Sequence, residues 1–365
     1  MNSYITSIST ATPPYCTSQD DIALFMANFL QADEYNIRKI RAIYKASGIE
    51  QRFAVVPDFQ KDTDNRSLFA SNGALPNTAR RMECFEKEAI KLVYSAAEGC
   101  LKAAPNADTD SITHLITVSC TGLFAPGPDI VLVEMLGLKT SIQRIAINFM
   151  GCYAAFNAIK TAESICLANP EARVLIVCVE LCSLHLQQST EEDHLLSAAL
   201  FGDGAAALLM EAKKPEDRIS LNIAKHYCDL FFDGKSEMAW HIGDFGFEMK
   251  LSSYIPGLVR QGIKMLTHNL LKNYKLTVND IEYFAIHPGG RRILEAIECE
   301  LEISKNDNRF SYEVLRDYGN MSSVTVLFVL KKIFDQAGIS DLDKHILSFA
   351  FGPGLTLESM LFKIT

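Results

Sequence analysis

The stretch "NFMGCYAAFNAIKTAES" (Asn148–Ser164) passes from an apolar run to a helical pattern within a few residues. The preceding "RIAINFM" is typical of a buried strand, and "YAAFNAIKTAESICLAN" is typical of a helix. Gly151 and Cys152 lie at the junction. A sulfur there would be near backbone N–H groups and the positive end of the helix dipole, and both favour thiolate. The stretch therefore predicts a strand, a turn with a candidate nucleophile, and a helix.

Similar units recur along the chain. Short apolar runs predict further buried strands, which gives the set 114–119, 144–150, 173–181, 204–210, 283–287 and 345–351. Helical patterns separate several of these runs and lie at 83–104, 153–169 and 322–338. Strands that alternate with helices predict an α/β fold.

A weak internal similarity divides the chain into two halves. "SITHLITVSCTG" and "DIEYFAIHPGG" each open a series of strand, helix and second strand, and the polar segment "KKPEDR" (213–218) separates the two series. We expect a first half at 1–218 and a second half at 219–365. Cys120 ends the first strand of its series, as His287 does in the other. The site is therefore expected between the halves, at strand ends.

Composition excludes several classes of protein. The 365 residues carry 44 acidic and 35 basic side chains, a formal charge of -9, which makes nucleic acid an unlikely partner. The longest apolar runs, such as "VLIVCV", are far shorter than the roughly 18 residues of a membrane helix, and the start does not resemble a secretory signal. Ten cysteines at irregular spacing do not resemble a disulfide framework. We expect a cytoplasmic protein without membrane insertion.

Three residues at element ends form a candidate catalytic set. His287 is followed by "PGG", which ends its strand, and Asn320 lies in the polar turn "DYGNMSS" before an apolar helix. Together with Cys152 they suit acyl transfer, because a thiolate attacks acyl carbonyls and neutral His and Asn donate hydrogen bonds to an oxyanion. They also suit decarboxylation of a malonyl group. A Cys-His-Asn protease would use the same residue types, and composition does not separate the two chemistries.

Five segments taken together resemble the signatures of type III polyketide synthases, the chalcone-synthase-like branch of the thiolase superfamily. They are "GCYAAF", "ALFGDGAAA", "IHPGG", "YGNMSS" and "FGPGLTLE", and their order and spacing agree over nearly the whole chain. The resemblance implies a thiolase-like fold of two halves with a five-layered αβαβα core. It also implies a homodimer that uses an acyl-CoA starter and malonyl-CoA, with no metal and no bound cofactor.

The resemblance assigns roles to individual residues. Cys152 resembles the nucleophile, His287 and Asn320 resemble its partners, and Phe201 and Phe247 resemble the two gating aromatic residues. Further substrate contacts are implied at Cys120, His185, Gly289, Gly290, Gly352, Pro353 and Gly354. Coenzyme A phosphates need cations, which "NIRKIRAIYK" supplies on a predicted helix as Lys39, Arg41 and Lys45.

Two alternatives stay open at this point. A ketoacyl-acyl carrier protein synthase III would use the same three residue types, although "HPGG" and "GNMSS" argue against it. A non-catalytic binding or scaffold subunit could also adopt this fold, although the intact Cys-His-Asn set argues against it. The starter group, the number of extensions and the cyclisation to a pyrone, resorcinol or related phenol are not specified by these motifs.

Overall fold

The computed structural model describes residues 2–61, 67–69, 75–104, 108–252 and 254–365, which form an α/β fold. The strands within these ranges are β1 (Tyr4–Ala11), β2 (Tyr15–Ser18), β3 (Gln51–Ala54), β4 (His114–Ser119), β5 (Gln143–Asn148), β6 (Arg173–Leu181), β7 (Asp203–Glu211), β8 (Leu221–Leu230), β9 (Met238–Gly243), β10 (Gly246–Leu251), β11 (Tyr283–Ile286), β12 (His345–Gly352) and β13 (Thr356–Ile364). The helices are α1 (Gln19–Phe29), α2 (Glu34–Ala46), α3 (Thr78–Ala103), α4 (Pro128–Leu136), α5 (Ala154–Ala168), α6 (Glu192–Leu200), α7 (Ile255–Leu271), α8 (Arg291–Leu301), α9 (Arg309–Tyr318) and α10 (Thr325–Gln336).

The predicted strands and helices are confirmed to within a few residues. β4 and β6 have the predicted bounds, and the runs at 204–210, 283–287 and 345–351 become β7, β11 and β12. The predicted helix at 322–338 is α10 preceded by one 3₁₀ turn, Ser322–Val324. The strands without a clear apolar run, among them β1, β8 and β13, are those that the periodicity missed.

One continuous sheet supports the site. Its nine strands follow the order β11-β12-β13-β8-β1-β7-β6-β4-β5, and two small sheets pair β2 with β3 and β9 with β10. The order repeats between the halves: a parallel pair, β4 with β6 or β11 with β12, is followed by two antiparallel neighbours. The carboxyl ends of β4 and β11 therefore occupy equivalent places in the two halves. Cys120 directly follows β4, and His287 directly follows β11.

The core has five layers. Helix α3 packs on β1, β6 and β7, and helix α7 packs on β8 and β13 at the other side of the molecule. The apolar helices α5 and α10 lie between the strands of the two halves, and most of the α10 side chains are buried. The sheet forms both β layers by passing around these two central helices, so the predicted αβαβα arrangement is confirmed.

The prediction that the run before Cys152 is a buried strand is wrong in one respect. The run does form β5, but β5 is the edge strand of the sheet, and Gln143, Arg144, Ala146 and Asn148 are exposed. An edge strand has a neighbour on only one side, so apolar composition alone does not bury it within its own chain.

Candidate active site

The turn that carries Cys152 is held in a strained backbone conformation. Phe149 and Gly151 both have positive φ, 61° and 78°, and α5 begins at Ala154. A Cβ on Gly151 would lie 2.3 Å from Cδ of Pro353, so this position accepts no larger residue without a shift of the facing turn. Gly352 lets the backbone approach in the same way, since its Cβ would lie 2.4 Å from the Tyr153 ring. Cys152 is thereby fixed between the two halves, with only 7% of its surface exposed.

His287 directly follows β11, and one of its ring nitrogens has no hydrogen-bond partner. Its backbone N–H donates to the Phe349 carbonyl (2.8 Å), and its carbonyl accepts from Gly289 N–H (2.9 Å). The ring is buried, and Nδ1 has no hydrogen-bond partner. Burial lowers the pKa of His287 to about 3. The imidazole is therefore neutral at physiological pH and has a nitrogen free to take or give a proton.

Asn320 presents its amide nitrogen to the same place. Its Oδ1 accepts from the Ser322 backbone N–H (2.8 Å) and from the Thr325 hydroxyl (3.3 Å), which fixes the orientation of the carboxamide. Its Nδ2 donates to the Gly289 carbonyl at 3.3 Å, and the same side chain hydrogen-bonds the Cys152 thiol. The backbone of Asn320 pairs with the strand-like segment at Phe201.

One enclosed space, which we call the reaction cavity, brings the predicted catalytic residues together. Cys152, His287 and Asn320 all line it, and its volume is about 20 Å³. A cavity of that size holds little more than one water molecule, so an acyl group requires its walls to move. Of the predicted substrate contacts, the reaction cavity is also lined by Cys120, Phe201, Gly289 and Pro353.

The ionisation state of Cys152 differs from the expectation drawn from the helix start. Burial raises the pKa of its thiol to about 12; hydrogen bonds from Ser322 and Asn320 lower that pKa, and the Glu180 carboxylate raises it. Because burial outweighs the favourable hydrogen bonds, it favours a neutral thiol and a neutral imidazole in the reaction cavity. Burial in this geometry disfavours the expected thiolate–imidazolium pair, so deprotonation accompanies the reaction.

A buried carboxylate supports the wall of the reaction cavity, and the motifs did not indicate it. Glu180 has no exposed surface, and it accepts hydrogen bonds from Ser323 Oγ (2.5 Å), Thr121 Oγ1 (2.7 Å) and Cys120 N–H (3.0 Å). Burial raises its pKa. The signal that could have found it is the single acidic residue near the end of the mostly apolar strand "RVLIVCVEL". Ser322 was also missed; its hydroxyl lies 3.1 Å from the Cys120 sulfur.

A second space, which we call the side cavity, adjoins the reaction cavity. Its volume is about 60 Å³, and it contains two predicted substrate contacts, His185 and Phe247, which do not line the reaction cavity. Phe201, Trp240 and Met249 line both spaces. The last two face each other across the β9–β10 hairpin, so this pair forms the partition between the cavities.

His185 has both ring nitrogens engaged. Its Nε2 lies 2.7 Å from the Thr121 carbonyl, and its Nδ1 accepts from the Phe247 backbone N–H at 2.9 Å. Nε2 must therefore carry the proton and donate it to Thr121. The ring stacks on Phe247 with 4.3 Å between centroids. The structure thus places His185 behind Phe247, where it positions the hairpin.

A third and larger space, which we call the outer cavity, has a volume of about 370 Å³. It is lined by α2 residues such as Ala42 and Ile43, and by the segment Gly289, Gly290, Arg291 and Arg292 at the start of α8. The predicted cations on α2 do not line it: Lys39 lies one turn before Ile43, and Arg41 and Lys45 are exposed. The two arginines were missed, although "PGGRR" places them directly after the predicted glycines.

The remaining predicted contact, Gly354, is not among the residues that line these three spaces. Its φ is 75°, and a Cβ there would meet no atom within 4 Å. Within the described residues, no group of three or more His, Cys, Asp or Glu side chains is arranged to hold a metal ion. Over the same part of the chain, no helix is long and apolar enough to cross a membrane.

Comparison with known families covers almost the whole chain. Residues 2–214 match the model for the N-terminal domain of chalcone and stilbene synthases, and residues 223–365 match the model for the C-terminal domain of that family. The chain is 33% identical to the alpha-pyrone synthesis polyketide synthase-like Pks18 of Mycobacterium tuberculosis, over 99% of this chain and 91% of that protein. It is 28% identical to type III polyketide synthase C of Arabidopsis thaliana, over 98% and 94% of the two chains.

Solved structures agree with the sequence matches. The structure of PKS-I from the brown alga Ectocarpus siliculosus superposes with a TM-score of 0.92 at 29% identity, covering 100% of this chain and 98% of that one. The C-terminal type III polyketide synthase domain of Steely1 from Dictyostelium superposes with a TM-score of 0.90 at 27% identity, covering 100% and 99%.

Proposed function

Because the chain belongs to the chalcone and stilbene synthase family and is a type III polyketide synthase, we propose that Cys152 carries its growing acyl chain. The observation that carries this proposal is the convergence of Cys152, His287 and Asn320 on one enclosed cavity. A buried thiol, an imidazole with a free nitrogen and an amide N–H are together what acyl transfer needs.

Loading begins with a neutral pair. His287 accepts the Cys152 proton while the sulfur attacks the thioester carbonyl of the starter acyl-CoA. The bond from the carbonyl carbon to the coenzyme A sulfur then breaks. His287 returns its proton to that sulfur, so coenzyme A leaves as a thiol and the acyl group remains on Cys152.

Extension uses malonyl-CoA. Its terminal carboxylate leaves as CO₂, the bonding electron pair forms an enolate, and the neutral Asn320 amide and His287 N–H stabilise the enolate oxygen. The enolate carbon attacks the thioester carbonyl on Cys152 and the C–S bond breaks. A proton from water restores the thiol, the chain is two carbons longer on coenzyme A, and it returns to Cys152 by the loading reaction.

The coenzyme A arm enters through the outer cavity in this proposal. That cavity shares Gly289 and Ile293 with the reaction cavity, so a thioester can reach Cys152 from it. Arg291 and Arg292 line the same space and supply positive charge for phosphate groups. Lys39, Arg41 and Lys45 on α2 remain proposed contacts for the phosphates farther out.

The exposed edge of the sheet supports the predicted homodimer. β5 has no second neighbouring strand among the described residues, and Leu123, Ile130 and Met135 are exposed large apolar side chains beside it. We place the partner subunit's copy of this edge against β5, directly before the turn that carries Cys152. Ala146→Glu should then give monomers in light scattering, whereas Ala103→Glu at an exposed position on α3 should leave dimers. Monomers of the unchanged protein would contradict this arrangement.

The product is proposed to be a short α-pyrone. The relative Pks18 is described as an alpha-pyrone synthesis enzyme. In a triketide, the enol oxygen attacks the Cys152 thioester carbonyl, a six-membered lactone forms and the thiol leaves with the enol proton. The compartment is proposed to be the cytoplasm, since all ten cysteines are free thiols.

Product analysis tests this function. The protein is incubated with malonyl-CoA and a panel of acyl-CoA starters, and products are identified by mass spectrometry. We expect pyrones from the unchanged protein and none from Cys152→Ala. Cys166→Ala, which removes a buried thiol of α5 outside the three cavities, should keep its activity. Undiminished product from Cys152→Ala would remove Cys152 as the nucleophile, and activity only with malonyl-acyl carrier protein would replace malonyl-CoA as the extender.

A further inference from the structure

The side cavity contains an unusual concentration of unpartnered polar atoms. Ten buried side-chain nitrogen or oxygen atoms among the described residues have no hydrogen-bond partner, and three of them belong to residues that line this cavity. They are Thr17 Oγ1 on β2, Arg52 Nη2 on β3 and His194 Nδ1 on α6. Buried polar groups in folded proteins are nearly always satisfied. Three from separate elements around one space therefore point to a ligand.

Of the three residues, Arg52 gives the strongest indication of a ligand. Only 5% of its surface is exposed, its Nε donates to Gln19 Oε1 (3.0 Å), and its Nη1 donates to the Phe201 carbonyl. The Tyr44 hydroxyl interacts with this guanidinium, so one N–H of Nη2 remains for a ligand, and no ion pair between described residues includes Arg52. The carboxylate that interacts with it, Asp203, is occupied by Ser183 and by the Val55 N–H. A buried cation with a free N–H favours an anionic partner.

The rest of the side cavity suits the end of a short hydrocarbon chain. Its walls include Ile22, Met26, Phe59 and Leu186. Its volume of about 60 Å³ is well below the roughly 150 Å³ of a cavity that accepts benzene, so it admits a few heavy atoms. A coenzyme A arm does not fit, and neither does a substituted ring.

We propose that the side cavity is a subsite for the far end of the starter acyl chain and that it selects starters ending in a carboxylate. The inference rests on the proposed loading of Cys152 only for the direction from which the chain enters. The carboxylate accepts hydrogen bonds from Arg52 Nη2 and from the Thr17 hydroxyl, and His194 closes the third side. The carbon chain crosses the partition when the flexible Met249 side chain rotates away from Trp240.

The extender is excluded as the ligand by its own chemistry. The malonyl carboxylate must leave as CO₂ while its carbon lies beside the Cys152 thioester in the reaction cavity. A guanidinium that bound this carboxylate would stabilise the ground state and oppose its loss. The subsite therefore serves a carboxylate that survives the reaction, at the end of the chain away from the thioester.

Binding can be measured without turnover, because Trp240 is the sole tryptophan of the chain and lines both cavities. Cys152→Ala is titrated with pairs of acyl-CoAs whose ends have the same shape, such as succinyl-CoA with 4-methylpentanoyl-CoA and glutaryl-CoA with 5-methylhexanoyl-CoA. Tryptophan fluorescence reports the dissociation constant. At one chain length, the carboxylate-ended member should bind at least about tenfold more tightly, as expected for a buried charge-assisted hydrogen bond.

Substitutions in the side cavity test which residues cause this preference for a carboxylate. In the Cys152→Ala background, Thr17→Val and His194→Leu should each reduce the preference severalfold and leave binding of the apolar-ended member unchanged. Thr267→Val removes a buried hydroxyl of α7 outside the cavity and should keep the full preference. Arg52→Gln should abolish the preference. If Arg52→Gln fails to fold, Thr17→Val and His194→Leu still decide.

Two results would overturn the inference. Equal affinity within every pair would mean that ordered water satisfies these atoms, and a preference that survives both Thr17→Val and His194→Leu would place the carboxylate elsewhere. Failure of the proposed function is separable from either result. It would appear as the absence of an acyl group on Cys152 of the unchanged protein, whereas the binding preference is measured in a protein that lacks this thiol.

Discussion

Two buried histidines near the site, His185 and His287, differ in how their rings are hydrogen-bonded. His185 bonds the Thr121 carbonyl through Nε2 and the Phe247 N–H through Nδ1, whereas Nδ1 of His287 has no hydrogen-bond partner. Burial lowers the pKa of both to about 3, so the pKa does not distinguish them. A ring whose two nitrogens are both hydrogen-bonded holds its neighbours in place. A ring with an unpartnered nitrogen, in the same cavity as a thiol, can transfer a proton.

The largest expected effect is the difference between the two histidines in catalysis. His287→Gln should lower kcat for condensation by about 10²–10⁴, because the group that accepts the Cys152 proton is removed. His185→Gln should lower it by less than about tenfold, since its ring makes no contact with the reaction cavity. The rate of coenzyme A release measures both. Equal losses of kcat in the two variants would contradict the assignment of proton transfer to His287 and of positioning to His185.

The next effect concerns Asn320, whose two amide atoms have different tasks. Asn320→Asp keeps an oxygen for the Ser322 N–H and removes the amide donor, so the fold should be kept. Decarboxylation of malonyl-CoA should fall by about 10²–10³ through loss of the enolate donor. Starter loading, read from the mass of the intact protein, should fall much less. A proportional loss of both steps would refute this division.

The stability effect should run in the opposite direction to the catalytic effect. His185→Leu leaves the Thr121 carbonyl and the Phe247 N–H unpaired and should lower the free energy of unfolding by about 2–4 kcal/mol. His287→Leu replaces an unsatisfied ring nitrogen by an apolar group and should cost less than about 1 kcal/mol. Urea unfolding at pH 7.5 measures both, with His226→Leu on the surface as the control. A larger cost at His287 would contradict the hydrogen-bond assignment.

The smallest effect is one that the two histidines should share. Their folded-state pKa values lie near 3, below the unfolded value of about 6.5. The unfolded chain therefore binds more protons between these values, and stability falls as pH falls below about 6.5. Either His→Gln variant should remove about 1.4 kcal/mol per pH unit from that slope. An unchanged slope in the His287 variant would mean that the native ring is already protonated.

The fold could be predicted because its signals are local. An apolar run such as "HLITVS" specifies β4 from its own residues, and the repeated order of runs indicated that Cys120 and His287 end equivalent strands. Burial of β5 could not be predicted in the same way, because it depends on what lies beyond the edge of the sheet. The hairpin β9–β10 was missed because its strands are short and partly exposed.

The site could be predicted in its residue types but not in its charge state. Cys152, His287 and Asn320 share a cavity as expected, yet the thiolate predicted from the helix start requires a knowledge of burial that a motif does not contain. His185 follows Cys182 in the sequence and lies near the site, but only coordinates reveal that both its nitrogens are engaged. No sequence motif indicated Arg52, because the unpartnered polar atoms around the side cavity lie on three separate elements.

The position of the acyl group after loading tests most directly whether Cys152 is the nucleophile. The protein is incubated with a starter acyl-CoA and no malonyl-CoA, denatured, digested and analysed by mass spectrometry. We predict one acyl group, on the peptide that contains Cys152, and a strong loss of that label in His287→Gln. An acyl group on Cys120 or any other residue, with Cys152 unmodified, would contradict it.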